Sequence, residues 1–480
     1  MAQKSIKKNY IYNLAFQILT LVIPLITTPY LSRVLGADGI GTYSYVEAIS
    51  SYFVLFATLG LTTFGQREVS YVQDDRKKRT IVFWETCIIQ FIASLICIVA
   101  YVFFSLMQKD SLLYLVLVIN LFSVIANVTW LFQGMEEFGR IVLRNIIFKL
   151  IGLAYIFIFV TEKDDVIVYL FGVAFFAFLN NLSYWTMLPK FVDRPKLKEL
   201  HPTRHLKTVF SLFLPTIAIS IYTVLDKTMI GIITNDSFEN GYYEQAIKMS
   251  KVVLSVVTAL GVVMIPRIGH YFSHGDTDAV RLSMYRSYRF VWLIGIPLTF
   301  GLLSVSSNFV PWFYGPGFDK VAPLLGILGF LILAIGINNV TGIQYLIPTK
   351  RQNTFSFTVI IGACCNFLLN MVLIYKYESI GAAIASVLAE TIIALVQLYI
   401  VRKELSFIKI VKLGIHYYIA GAVMLAVLLY VRDYFTPSML NTLYLVVIGA
   451  IAYFLFLIIL RDDFLLSNVN TIFKKVLKRA

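Results

Sequence analysis

Apolar positions in this chain gather into long runs divided by short polar breaks. The runs fall at 10–34, 40–64, 81–106, 112–133, 141–161, 165–189, 208–233, 241–268, 286–310, 321–347, 354–376, 380–401, 412–432 and 438–460. Each is about the 20 residues that a helix needs to cross the hydrocarbon core of a bilayer. Membrane β-strands would be about 10 residues long and alternate apolar with polar, which these runs do not. The pattern therefore predicts an all-α integral membrane protein of about fourteen transmembrane helices.

Composition agrees. Of 480 residues, 59% are hydrophobic and 14% charged, against about a quarter charged in a soluble domain. A net charge of +14 raises the question of nucleic acid, but the distribution of the charge answers it. Basic residues concentrate in alternate breaks and the run ends beside them: Lys4, Lys7, Lys8; Arg67, Arg76, Lys77, Lys78, Arg79; Arg140, Arg144; Lys190, Arg194, Lys196, Lys198, Arg204, Lys207; Arg267, Arg281, Arg286, Arg289; Lys350, Arg351; Arg402, Lys403, Lys409, Lys412; and Arg461 with the tail residues Lys474, Lys475, Lys478 and Arg479. The other breaks hold only Arg33, Lys109, Lys163, Lys320, Lys376 and Arg432. The positive-inside rule produces this asymmetry, and it predicts an even number of spans with both termini in the cytoplasm. The first run is longer than a signal-peptide core and reads as an uncleaved span. Cys87, Cys97, Cys364 and Cys365 all lie in apolar runs and read as small buried hydrophobes.

The most informative charges lie inside the runs 208–233 and 241–268: Asp226 and Lys227 in the first, Glu244, Lys248 and Lys251 in the second. A charge inside a membrane helix costs roughly 3 kcal/mol by insertion scales, so each needs a reason. Glu244, Lys248, Lys251 and Ser255 have helical spacing and share one face. Lys251 stands about 15 Å along the helix from Gly241, near mid-bilayer. One reading is a local ion network, with Glu244 and Lys248 in the favourable i, i+4 order and Lys227 reaching towards the surface. The other is a cationic surface inside a helix bundle, because two lysines against one glutamate leave positive charge for an anionic ligand.

Further polar stripes recur: Asn13, Gln17, Thr20, Pro24 and Thr27, with Arg33 beyond; Glu47, Ser51 and Thr58; Asn120, Ser123, Asn127 and Trp130; Asn145, Lys149 and Gly152; Ser386, Glu390 and Gln397. Each alone reads as interhelical hydrogen bonding. Occurring on both sides of the chain's midpoint, they predict a wet cavity between two bundles. Arg33, Lys149, Lys227, Lys248, Lys251 and Asn127 are the candidate cavity residues, and Glu47, Asp226, Glu244 and Glu390 the candidates for coupling to a proton or sodium gradient. The basic segment 191–207 reads as a solvated linker, dividing an N-terminal bundle at 1–190 from a C-terminal bundle at 208–401; 402–480 holds the last two spans and the tail. Gly41-Thr-Tyr43 and Gly241-Tyr-Tyr243, each opening a run, hint at an internal repeat.

No GxxxxGK[ST] loop and no HExxH is present. His201/His205 and His270/His274 have i, i+4 spacing but sit in polar breaks, so neither a metal site nor a bound cofactor is expected. The acid pairs Asp74-Asp75, Asp164-Asp165 and Asp462-Asp463 sit in short loops. A polysaccharide polymerase or ligase would carry a large outer loop, and none exists. No catalytic residues are expected.

Several segments resemble the polysaccharide repeat-unit flippases of bacteria (Wzx type): Trp130-Leu-Phe-Gln-Gly-Met-Glu-Glu-Phe138 with Arg144, Asn145 and Lys149; Pro29-Tyr-Leu-Ser-Arg33-Val-Leu-Gly36; Asp226-Lys-Thr-Met-Ile-Gly231; Tyr243 to Lys248; Tyr314-Gly-Pro-Gly-Phe318; and Gly381-Ala-Ala-Ile384. The resemblance spans nearly the whole chain. It implies the multidrug/oligosaccharidyl-lipid/polysaccharide exporter superfamily, with two six-helix bundles around a central cavity and two C-terminal helices added. It also implies transfer of undecaprenyl-diphosphate-linked oligosaccharide to the outer leaflet of the cell membrane for capsule, exopolysaccharide or O-antigen, alongside polysaccharide assembly machinery. Arg33 and Lys248 are similar to cavity cations of the related peptidoglycan-precursor flippases. A cation-coupled multidrug-type exporter and a peptidoglycan-precursor flippase are the alternative transport readings.

Overall fold

The computed structural model describes residues 6–467, with the side chains of 6–19, 21, 214, 215, 218–222, 262 and 263 outside the description. Lys4, Lys7, Lys8, Asn13, Gln17 and the basic residues of the tail accordingly lie outside the described residues or side chains. Among the described residues every regular element is helical. The N-terminal half has α1 (Ile6–Thr58), α2 (Leu61–Tyr71), α3 (Arg76–Leu106), α4 (Ser111–Val116), α5 (Val118–Ala126), α6 (Thr129–Gly134), α7 (Phe138–Phe159), α8 (Val166–Ser183) and α9 (Leu206–Thr234). Then come α10 (Ser237–Ser273), α11 (Thr277–Tyr314), α12 (Val321–Leu328), α13 (Phe330–Asn338), a π-helical segment (Asn339–Leu346), α14 (Gln352–Ile400), α15 (Phe407–Val431) and α16 (Met439–Ile459).

Among the described residues, eleven helical stretches are long and apolar enough to cross a membrane. Two of them carry two apolar runs each. α1 turns at Gly36 (φ 67°, ψ 179°), between runs 10–34 and 40–64, and α14 turns at Glu378 (φ 54°, ψ −131°), between 354–376 and 380–401. Glycine enters the first conformation without steric cost. At Glu378 a side chain is held there by neighbours: Lys320 Nζ sits 2.5 Å from its carboxylate and 2.6 Å from that of buried Glu239, and Ser379 donates to Glu239 through N and Oγ. With α9 included, every predicted run has its helix.

Contacts gather the chain into two compact units, up to Gly231 and from Ile232 onward. In the first, α2 and α6 meet at two glycines. A Cβ on Gly65 would come 2.5 Å from the Trp130 ring, and one on Gly134 2.8 Å from Val69. Trp130, Phe132, Phe83 and Tyr184 fill the core beside them. The segment expected to be a solvated linker is instead docked on α3. Arg76 makes a two-pronged bond to Asp193 (2.8 and 2.7 Å), Trp84 Nε1 donates to the Asp193 carbonyl at 3.0 Å, and buried Arg79 donates to the Phe191 carbonyl. Fully buried Glu85 receives the His201 amide (2.6 Å), Arg204 Nη2 (2.6 Å) and His205 Nε2 (2.8 Å). A charge run reads as solvated because sequence alone does not show the partner that will cover it.

In the second unit α15 and α16 pack on α11. Trp292 Nε1 donates to the Ile410 carbonyl at 3.2 Å, Tyr453 OH to Leu293 O at 3.0 Å and Trp312 Nε1 to Thr442 at 2.7 Å. Beyond α16, Asp462 is 1% exposed and collects Arg289 (3.1 Å), Tyr417 OH (3.0 Å) and the Leu465 amide (2.9 Å). Burial alone would raise this carboxyl, but the Leu465 amide, Arg289 and Tyr417 outweigh it and hold it below the usual carboxylate range. A lowered folded value means the stabilisation is present above the ordinary value of about 4 and is lost as pH falls through the lowered one. Asp462→Asn is therefore expected to cost about 2 kcal/mol at neutral pH. Its deficit in thermal unfolding should shrink towards zero in strong acid; a deficit independent of pH would contradict the assignment.

Of the four cysteines, Cys87, Cys97 and Cys365 are partly buried and Cys364 is exposed on its helix. This corrects the expectation of burial: a thiol is apolar enough to face lipid as readily as core. The two motifs that hint at a repeat occupy like places. Tyr43 is 2% exposed and its ring lies 4.8 Å from that of Tyr169 on α8, while Tyr243 is 1% exposed and its hydroxyl lies 3.2 Å from Ser386 on α14. Each tyrosine in the second run of its half meets the sixth run of that half.

Candidate functional site

α10 begins at the Asp236 cap, whose side chain accepts the Phe238 amide, and runs without interruption to Ser273. Its inward face carries Tyr243, Ala246 and Ser250, all at most 2% exposed. The predicted stripe follows the margin of that face: Glu244 is buried, Lys248 half-buried and Lys251 exposed. Lys248 makes no hydrogen bond or ion pair among the described residues, and in particular none with Glu244 one turn away. The local ion pair suggested by their spacing does not form. The ammonium sits at a half-buried position with no bond to a described residue.

The second embedded carboxylate of this unit, Glu390 on α14, is 9% exposed. Its side chain and its carbonyl both accept from Asn338 Nδ2, in the last turn of α13. The π-helical segment that follows Asn338 has its own polar contacts: Gln344 Nε2 donates to Asn339 at 2.9 Å, and Thr341 meets the Tyr288 hydroxyl at 2.7 Å. A wider helical turn inserted in a helix is common at functional sites.

In the first unit, Asp226 and Lys227 are half-buried on α9, beside Thr228, whose hydroxyl lies 3.0 Å from Tyr52 OH on α1. Arg33 and Glu47 are exposed on α1, and Arg33 Nη1 donates to the Pro29 carbonyl at 3.0 Å. Asn127 sits between α5 and α6. Its Oδ1 accepts from Thr129 N (3.0 Å) and Oγ1 (2.6 Å), and its carbonyl from Trp130 Nε1 (3.1 Å) and Gln90 Nε2 (3.0 Å). Its side-chain oxygen is therefore taken up in starting α6. Lys149, on α7, lines a cavity of about 350 Å³ with Thr27, Asn145 and Asn180, and donates to Thr20 at 3.1 Å.

Sequence reasoning passed over Glu85, Asn180 and Asn338. The two asparagines had a signal, since Asn180-Asn181 and Asn338-Asn339 are amide doublets inside otherwise apolar runs. Such groups are kept in a membrane where they have partners.

Long apolar helices with charges embedded in them define an integral membrane protein. The chain belongs to the polysaccharide biosynthesis protein family, whose profile matches residues 6–272, and it is a transporter rather than an enzyme. The resemblance to flippases of the multidrug/oligosaccharidyl-lipid/polysaccharide exporter superfamily stands. The chain is 24% identical over 413 residues to a putative O-antigen transporter of Escherichia coli (strain K12), covering 83% of this chain and 97% of that protein. It is 22% identical to a putative O-antigen transporter of Shigella dysenteriae, covering 82% and 100%. Its fold is similar to that of the lipid II flippase MurJ in an inward closed conformation (TM-score 0.75, 17% identity, 94% of this chain and 99% of that one). It is also similar to a MATE family multidrug resistance transporter in its inward-facing conformation (TM-score 0.59, 12% identity, 82% and 98%).

Proposed function

We propose that this protein moves an undecaprenyl-diphosphate-linked oligosaccharide from the cytoplasmic to the outer leaflet of a bacterial cell membrane, for capsule, exopolysaccharide or O-antigen synthesis. Family membership and the putative O-antigen transporters among its relatives support the polysaccharide side of this reading. The observation that carries the mechanism is Lys248, a half-buried ammonium inside a membrane-spanning helix and bonded to nothing among the described residues. Keeping such a charge in place is unfavourable unless an anion meets it at some stage of the cycle. A diphosphate leaving water needs compensating cations, and lysine is a compact partner for phosphate while arginine binds it through two bonds. Arg33, Lys227, Lys248 and Lys251 supply those cations in turn as the bundles rock between inward- and outward-open states. Glu47, Asp226, Glu244 and Glu390 are the carboxylates available for coupling to a proton or sodium gradient. The charge asymmetry of the loops supports an orientation with both termini in the cytoplasm.

The test uses the purified full chain in liposomes loaded with polyprenyl-diphosphate-linked oligosaccharide. Sugar that becomes accessible to a membrane-impermeant oxidant is followed over time. Exposure should rise well above that in protein-free liposomes. Equal exposure in both, with the protein shown to be folded and inserted, refutes the reading.

A further inference from the structure

The cavity of the first unit lies among α1, α7 and α8. Its contents divide by chemistry. Ile23, Phe148, Leu153, Ile156, Val173 and Phe176 form apolar wall, while Lys149, Asn145, Asn180 and Thr27 bring polar atoms to it. Asn145 and Lys149 are one turn apart on the same face of α7. The Asn145 amide has its orientation set from outside: Oδ1 accepts from Asn180 Nδ2 at 2.7 Å and from Tyr184 OH at 3.4 Å. Its Nδ2, which donates to no atom among the described residues, is thereby left as a donor next to the Lys149 ammonium. Asn180 in turn has a buried Oδ1 that accepts from no donor among the described residues. Lys149 is about 16 Å along α7 from Phe138, which puts the donors near the middle of a hydrocarbon core about 30 Å thick.

A cation with an amide donor beside it calls for an oxyanion. Apolar wall around both calls for a hydrocarbon tail. We propose that this cavity binds the phosphate of an anionic amphiphile, with Lys149 Nζ and Asn145 Nδ2 on the phosphate oxygens and the first segment of the tail against Phe148 and Phe176. The volume of about 350 Å³ exceeds that of a phosphate alone and leaves room for such a segment. Two sources share this chemistry, a polyprenyl phosphate carrier and an acidic phospholipid of the bilayer. The inference deepens the flippase reading only for the first source, because a phospholipid site needs no oligosaccharide transport.

The experiment measures binding, not transport. The full-length protein in detergent is titrated with polyprenyl monophosphate, phosphatidylglycerol and uncharged polyprenol, and bound lipid is counted by native mass spectrometry. Both phosphates should bind at least tenfold more tightly than polyprenol, the factor expected of one charge-assisted bond. Lys149→Met should lose that preference while binding polyprenol unchanged, and Lys149→Arg should regain most of it. Gly152→Leu is the steric control. A Cβ there has its nearest neighbour, Phe176, at 3.7 Å, so the larger side chain enters the cavity without a backbone clash and should displace both phosphates. The stronger of the two phosphates identifies the source. Equal binding of polyprenol and phosphates by the wild type, or an unchanged preference in Lys149→Met, overturns the proposal. Either result can occur whether or not the liposome assay shows transport, so the two failures are told apart.

Discussion

Polymer export is expected to fall by at least a hundredfold when Lys248 and Lys251 are both replaced by alanine, while the amount of protein in the membrane stays the same. The figure follows from two charge-assisted contacts to phosphate at roughly 1.5–3 kcal/mol each, with every 1.4 kcal/mol a factor of ten. Lys248→Ala alone should account for about tenfold of it. Three features separate this expectation from a folding defect. Lys248 has no bond among the described residues to lose, so the unfolding temperature of the single variant should match the wild type. Removing a charge from the middle of a membrane helix favours insertion by roughly 3 kcal/mol, so the variant should insert at least as well. Lys248→Arg retains the cation and should retain most export. Surface polymer measured against membrane-inserted protein decides the matter. Full export by the double variant would remove α10 from the mechanism.

The second large effect concerns the docked segment after α8. Replacing Arg204 and His205 together by alanine leaves the fully buried Glu85 carboxylate with the His201 amide alone. An uncompensated buried charge costs about 3–5 kcal/mol, which should lower thermal stability in detergent sharply and, by loosening the segment, speed tryptic cleavage at the exposed Lys196 and Lys198. Glu85→Leu is expected to cost less than that double change, because it removes the buried charge and leaves Arg204, half exposed, to water. The informative experiment combines the three. Adding Glu85→Leu to the alanine pair should restore part of the lost stability, since the carboxylate that needed partners is gone. If the triple variant is no more stable than the double, Glu85 is not what holds the segment.

Together these variants separate two kinds of charge. Lys248 bonds to nothing among the described residues, and its loss is expected to show in transport. Glu85 is fully engaged, and stripping its partners is expected to show in stability. Neither kind is told apart by charge or hydropathy. Glu85 sits in an apolar run much as Glu390 does, and only the chain brought against each distinguishes a structural anchor from a candidate for coupling.

The sequence by itself determined the secondary structure and the number of apolar runs, because a helix that crosses lipid must satisfy its backbone internally for about 20 residues and be apolar over that length. It also marked the embedded charges, since any charge in such a run stands out. The turn at Gly36 lies in a recognisable gap between runs. The turn at Glu378 needed the structure to explain it, because Lys320 and Glu239 come from distant segments. Partner choice was likewise decided by tertiary structure alone. Asn127 lay on a polar stripe, yet its side-chain oxygen begins a helix. Glu244 and Lys248 had pairing spacing, yet do not pair. The segment 191–207 had the composition of a solvated loop, yet is fastened to α3. Periodicity along one helix says which residues share a face; which neighbour that face meets depends on the rotation and depth of a second helix, fixed by packing among residues far apart in the chain.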